Sequence, residues 1–227
     1  MYGRTKGRKL SCKQKYFLKN HFGQIALTQD SIENFFSRLD EFKVQSKERE
    51  KLILEIGFGS AEHLAFVAER EPYSQFIGCD YYLNGVASAA VKITEMGLKN
   101  VRIFHGDAKH FLQSSPDGCL DEVYLPYPDP WPKSKHYKRR FISHTNLELL
   151  SSKLIKNGLV KIATDSKLYF DHVRLTLSHE RISKIFDFEN TDFLTPWVGW
   201  KQTKYEEKAK KAGRTSFYMI LKNSKVK

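Results

Sequence analysis

The chain is 227 residues long, 41% hydrophobic, and carries a formal net charge of +12 from 38 Lys or Arg against 26 Asp or Glu. That length suits one sizeable α/β core, and no apolar run approaches the roughly 20 residues of a membrane helix or forms the hydrophobic centre of a secretory signal. The charge is uneven: residues 1–20 hold seven Lys or Arg and no acid, 131–140 five and no acid, and 199–227 nine against two, which leaves the remainder net acidic.

An acidic body with three basic segments is a footprint for a polyanion. Tyr2, Tyr16, Phe17, Tyr137, Trp197 and Trp200 interleave among the cations, compatible with base stacking, while some of them belong to the core. Residues 1–30 read as a basic N-terminal arm and 31–227 as a single domain. The apolar run 51–56, the turn Gly57-Phe58-Gly59-Ser60 and the pattern Ala61, Leu64, Ala65, Val67, Ala68 then read as strand, glycine turn and helix. Glycines there let a ligand approach the main chain closely. Glu55, two residues before the first of them, would repel a pyrophosphate and suits a cationic or zwitterionic ligand.

A second strand over 75–79 ends in Asp80, 21 residues beyond Gly59, the spacing of an acid that binds ribose hydroxyls. A helical pattern spans 81–97, and a third strand, 101–105, ends at Gly106-Asp107, where a carboxylate can accept from an adenine amino group. The fourth strand, 120–125, delivers Pro128-Asp129-Pro130-Trp131 to the same rim. Prolines restrict both their own φ and the residue before them, so this segment reads as a rigid, extended turn that pre-aims Asp129. An ionised carboxylate there can accept from the N1–H and N2–H edge of guanine, with Trp131 or Tyr127 as a stacking face.

Downstream the pattern predicts a helix over 140–154, a strand over 158–164 and a helix over 166–180. Segments 181–188 and 215–221 read as final strands, a hairpin pair with a loop at 191–214 between them. Such alternation means a mostly parallel sheet covered on both faces. In open sheets of this kind ligands bind outside the carboxyl ends of the strands, which would gather Glu55, Asp80 and Asp107 in one crevice beside Asp129. Cys12, Cys79 and Cys119 have no metal-ligand spacing and suit a reducing, cytoplasmic setting. The histidines His105, His110, His136, His144, His172 and His179 form no metal set.

Taken in order, the motifs Arg4-Thr5-Lys6-Gly7-Arg8, Leu54-Glu55-Ile56-Gly57-Phe58-Gly59, Pro128-Asp129-Pro130-Trp131-Pro132-Lys133, Lys138-Arg139-Arg140, Ala163-Thr164-Asp165 and Thr203-Lys204-Tyr205-Glu206 span nearly the whole chain. In these the chain resembles the bacterial tRNA (guanine-N7-)-methyltransferases, the TrmB family. The resemblance implies a Rossmann-like class I fold with a seven-stranded, mostly parallel sheet, and S-adenosylmethionine as cofactor. It implies that Glu55, Asp80, Asp107 and Asp129 surround that cofactor beside Gly57 and Gly59, with Asp129 the catalytic position. By the same resemblance Lys133, Asp165, Thr203, Lys204, Tyr205 and Glu206 contact the target nucleotide. Lys135, His136, Tyr137, Lys138, Arg139 and Arg140 would touch RNA, with position 46 of the tRNA variable loop as target. The residues themselves suggest no metal and leave monomer or homodimer open. Ala61 departs from the family, which usually carries a third glycine there.

Three other readings share parts of this pattern. A nicotinamide-dependent oxidoreductase would use Asp80 and the glycine turn but has no use for 128–140. A methyltransferase for another RNA atom, such as an exocyclic amine, would carry a Pro-Pro-aromatic loop that Asp129 and Trp131 do not form. A non-catalytic RNA-binding module would have no need of an acid at each strand end.

Overall fold

The computed structural model describes residues 7–45 and 51–224. The chain opens with helices α1 (Cys12–Asn20), α2 (Phe22–Ile25) and α3 (Ile32–Gln45). Strand and helix then alternate through β1 (Leu52–Ile56), α4 (Glu62–Arg70), β2 (Gln75–Asp80), α5 (Leu83–Glu95), β3 (Val101–His105), α6 (Ala108–Ser114) and β4 (Leu120–Pro126). A 3-10 turn at Ser134–Arg139 leads to α7 (His144–Lys153), β5 (Leu154–Thr164), α8 (Lys167–Leu177), α9 (Glu180–Ser183), β6 (Phe186–Phe188), α10 (Lys204–Lys211) and β7 (Phe217–Asn223).

The strands form one seven-stranded sheet in the order β3-β2-β1-β4-β5-β7-β6. β1 to β5 pair in parallel, whereas β7 runs antiparallel to both β5 and β6. Strand order reverses between β1 and β4, which opens a crevice at their carboxyl ends. Ile56 lies opposite Cys79 and Cys79 opposite Phe104, so the tips of β1, β2 and β3 come level.

Every residue of β1 is buried, as parallel strands covered on both faces require. Leu52, Leu54 and Ile56 join a core with Phe36, Phe111, Leu147 and Val173, from α3, α6, α7 and α8. Ile53 faces the other way, into Leu64, Val67, Ala89 and Ile93 of α4 and α5. By the period of two, Glu55 shares that second face. A carboxylate thus stands where an apolar residue would complete the packing against α4.

The described part of the basic N-terminal stretch is folded onto this body. Gln14 Nε2 donates to Ser88 Oγ (3.0 Å) and Lys13 pairs with Glu95 (2.6 Å), which docks α1 on α5. Arg4, Thr5, Lys6 and Tyr2 lie outside the described residues.

Three sequence expectations are corrected. Segment 181–188 is the short helix α9 followed by only three residues of β6, because His179 caps a helical turn by accepting from the Arg181 N–H. The expected loop 191–214 contains α10, capped by Thr203 Oγ1, which accepts from the Glu206 N–H (3.2 Å). The helix expected over 140–154 starts at His144, where Ser143 supplies the cap, and β5 begins earlier than expected, at Leu154. Side-chain caps set all three boundaries.

Candidate active site

Glycine conformation shapes the turn after β1. Gly57 and Gly59 have φ of +76° and +56°, which a side chain would strain, and nothing lies within 4 Å of the point where a Cβ on Gly57 would stand. The main chain there is open to a ligand. Ala61 keeps the same left-handed backbone at φ +54° despite its methyl, so the departure from the glycine pattern leaves the conformation intact. A Cβ on Gly85 would sit 2.4 Å from the Gly59 carbonyl oxygen, so α5 packs directly against the turn.

Asp80 is fixed by main-chain donors: Gly59 N–H donates to Oδ2 (2.9 Å) and Tyr82 N–H to Oδ1 (2.8 Å). Burial pushes its carboxyl above the ordinary range, and the N–H bonds from Tyr82 and Gly59 only partly oppose it. Asp107 caps α6 by accepting from Lys109 N–H (2.9 Å). Glu55 is fully buried, with His63 Nδ1 of α4 at 2.7 Å from its Oε2. Its second oxygen, Oε1, is buried without a partner among the described residues, as is His63 Nε2.

The turn after β4 is not the plain extended run expected from its prolines. Tyr127 and Trp131 both adopt positive φ, +53° and +42°. Such backbone persists only where surrounding bonds over-determine it. Tyr127 N–H donates to Ala163 O (2.8 Å) and its hydroxyl meets Ser216 Oγ (2.9 Å). From below, Arg140 donates through Nε to Pro130 O (2.9 Å) and through Nη2 to Trp131 O (3.2 Å), its plane 3.7 Å from the Tyr137 ring. Asp129 is held at the surface, its carboxyl raised by the partial burial that the turn imposes.

Two cavities meet at this turn. A narrow crevice of about 20 Å³ is lined by Glu55, Gly57, His63, Tyr127, Thr203 and Tyr205. A wider groove of about 650 Å³ lies between Pro130, Asp165, Lys167, Arg214 and Phe217. Tyr205 stacks on Tyr127 and leans over the glycine turn, 3.6 Å from where a Gly59 Cβ would be. Burial, followed by the charges of Asp80 and Asp129, pushes the Tyr205 hydroxyl up. Lys204 ties α10 to α4 through Glu62.

The remaining expected site residues divide. Asp165 faces the groove and accepts from Arg214 Nε (2.7 Å), while Lys133 is exposed at the start of the 3-10 turn. Lys135, Tyr137 and Lys138 are exposed, and His136 and Arg139 pack on Trp131. Arg140, expected on the RNA-facing surface, is instead buried, because its guanidinium is spent on the turn carbonyls. Glu206, expected at the nucleotide, is also turned inward, where Trp200 Nε1 donates to Oε2 (2.8 Å) and Lys210 pairs with Oε1 (2.8 Å). Sequence reading missed His63, whose position eight residues beyond Glu55 carries no motif.

A family model described as a putative methyltransferase matches residues 49–219. A tRNA (guanine-N(7)-)-methyltransferase of Zymomonas mobilis is 36% identical over 218 residues, covering 96% of this chain and 91% of that one. One from Rhizobium johnstonii is 41% identical over 174 residues, covering 76% and 74%. The chain belongs to the tRNA (guanine-N(7)-)-methyltransferase family. Solved structures similar to it include the 16S rRNA methyltransferase KamB, at a TM-score of 0.63 and 13% identity over 83% of this chain and 94% of that one. An antibiotic-related methyltransferase aligns at 0.59 and 15% over 82% and 92%. At such identities the likeness concerns the fold alone: this member of the tRNA (guanine-N(7)-)-methyltransferase family has the class I methyltransferase fold, with the seven-stranded, mostly parallel sheet expected.

Proposed function

We propose that the protein transfers a methyl group from S-adenosylmethionine to guanine N7 in tRNA, at position 46 of the variable loop. The observation that carries this reading is the buried Glu55 carboxylate with one oxygen unpartnered, beside an open glycine main chain and a rigidly held Asp80. A buried acid without a cationic side chain is costly unless a ligand supplies the charge. A sulfonium amino acid joined to a nucleoside meets each requirement: an ammonium for Glu55, ribose hydroxyls for Asp80, and an adenine amino group for Asp107.

When bound, the donor supplies a methyl activated by positively charged sulfur. Guanine N7 holds a lone pair and no proton, so the chain needs no general base. Its residues must position the base instead. Asp129, on a turn with Tyr127 in the crevice and Pro130 in the groove, accepts from the guanine edge. As positive charge develops on the base, that carboxylate becomes more favourable, which lowers the barrier. Asp165 and Thr203 hold the nucleotide from either side, and Lys133, Lys135 and Lys138 engage phosphates. With an RNA substrate and three cysteines free of disulfides, the protein works in the cytoplasm.

Incubation with methyl-labelled donor and bulk tRNA, followed by nucleoside analysis, tests this. Label should enter 7-methylguanosine alone, and borohydride-aniline cleavage should map it to the variable loop. Label in another nucleoside, or none, would refute the reading.

A further inference from the structure

The geometry points to His63 as the positioning residue for the donor's ammonium group, acting through Glu55. This rests on the proposed use of S-adenosylmethionine and extends it to a residue outside every motif of the chain.

Both side chains of the pair are about as buried as any in the protein, each 1% exposed. A carboxylate oxygen can only accept from the ring, so Nδ1 carries the proton in the 2.7 Å contact with Glu55 Oε2. One bond to one oxygen orients the whole carboxylate. It leaves Oε1 without a partner among the described residues, and Glu55 and His63 both line the crevice.

The imidazole cannot readily turn away. Its ring lies 5.2 Å from Tyr124, edge-on, and 4.8 Å from Trp200, with Trp197 at 6.5 Å. Trp200 is itself anchored by its N–H to Glu206. A caged ring that holds one oxygen and frees the other is the arrangement for presenting a single acceptor to a cation. Without His63, the Glu55 carboxylate would lose its aim. His63 therefore determines affinity for the amino acid end of the donor and not for its nucleoside end.

Calorimetric titration with two probes separates these ends: S-adenosylhomocysteine, which has the ammonium, and 5′-methylthioadenosine, which lacks it. The unaltered protein should prefer the first. His63→Phe keeps the ring packing and removes the donor; it should weaken S-adenosylhomocysteine about tenfold and leave methylthioadenosine within about twofold. His63→Gln, which retains a donor, should recover most of the loss. Equal weakening of both probes, or of neither, would overturn the role of His63.

If His63→Phe alone does not fold, because the Glu55 charge is left unpaired, the double variant with Glu55→Gln removes that charge. It should bind S-adenosylhomocysteine no more weakly than Glu55→Gln alone, and a further loss specific to that probe would overturn the coupling. Should the unaltered protein bind neither probe, the donor assignment itself fails. Should it bind both equally, Glu55 is not the ammonium acceptor and His63 has nothing to position.

Discussion

The two ends of the central strands both carry buried acids, but they are partnered in opposite ways. At the amino end, Asp121 Oδ2 accepts from Leu52 N–H (2.9 Å), and Glu122 takes Lys161 (2.5 Å), Lys51 (2.9 Å) and the Tyr124 hydroxyl (2.9 Å). At the carboxyl end, Asp80 is met by main-chain N–H groups and Glu55 by a histidine on one oxygen only. Among the described residues, no Lys or Arg side chain pairs with either. One end is a closed structural ion cluster; the other has the open acceptor that the proposed donor's ammonium would meet.

The titration directions of Glu122, Asp80 and Asp129 differ in the same way, whereas Asp107 is held below its ordinary value. Burial works to raise the Glu122 carboxyl, but Lys161 and Lys51 outweigh it and hold it below its ordinary value of 4.5. A depressed folded value contributes stability that is present above about 4.5 and lost as pH falls through the folded one. Asp80 and Asp129 are raised above 3.8, chiefly by burial. A raised value favours the neutral form, so their contribution is present below about 3.8 and lost as pH rises through the folded value. At Asp80 and Asp129 the fold thus disfavours the charged form, a pattern expected of a functional site.

The sharpest way to break this contrast is Asp129→Ala. Turnover should fall about a hundredfold, with donor affinity largely retained and thermal stability at pH 7 unchanged or raised. The check is single-turnover methylation beside a melting curve. Near-normal turnover, or a large loss of stability, would make Asp129 an acid of the structural kind. In the same experiment Asp129→Asn should remove the acid limb of the kcat/KM profile that a raised Asp129 carboxyl places above 3.8.

Glu122→Gln should do the reverse. Removing one partner strands the Lys161 ammonium, which is only 13% exposed, and should destabilise by about 2–3 kcal/mol, tempered because Lys51 is half-exposed and can turn to water. Denaturant unfolding at pH 7 reads it. The gap from the unaltered protein should shrink as pH falls below about 4.5. Activity per folded molecule should stay within about twofold.

Much of this contrast was legible in the sequence. The strand, glycine turn and helix after Lys51 announced themselves by apolar periodicity, and the acids at the ends of β1, β2 and β3 by their place after each strand. The Pro128-Asp129-Pro130-Trp131 segment was legible as a rigid device but not as two left-handed residues, since the bonds that force Tyr127 and Trp131 into that region come from Ala163, Ser216 and Arg140. His63 was illegible for a related reason: a helical histidine becomes meaningful only when tertiary packing brings it to Glu55. Arg140 was expected at the RNA and Glu206 at the nucleotide because charge alone does not tell which of several neighbouring charged residues turns inward.

Arg140→Met should come next in size. It keeps much of the stem and removes the donors to Pro130 and Trp131, so the turn loses its support while Asp129 stays in place chemically. Turnover should drop about tenfold, mostly in kcat, and the slope of tRNA affinity against salt should not change. A lower salt slope with normal kcat would return Arg140 to the RNA surface from which its burial removes it.

The smallest effect belongs to the exposed cations of the 3-10 turn, and it tests whether the polyanion docks at the carboxyl end alone. Each phosphate neutralised releases counterions, so log affinity falls with log salt by roughly 0.7–0.9 per contact. Lys135→Ala and Lys138→Ala should each weaken tRNA binding a few-fold at low salt, reduce that slope by about 1, and leave S-adenosylhomocysteine binding unchanged. Lys51→Ala removes the same unit of charge from a half-exposed lysine at the opposite end of the sheet. Its slope should equal that of the unaltered protein, because a charge more than a Debye length of about 10 Å from the phosphates is screened. Equal slopes for all three variants would mean that the RNA is attracted by net charge rather than by this rim. The acidic crevice would then need another means of drawing a polyanion to its edge.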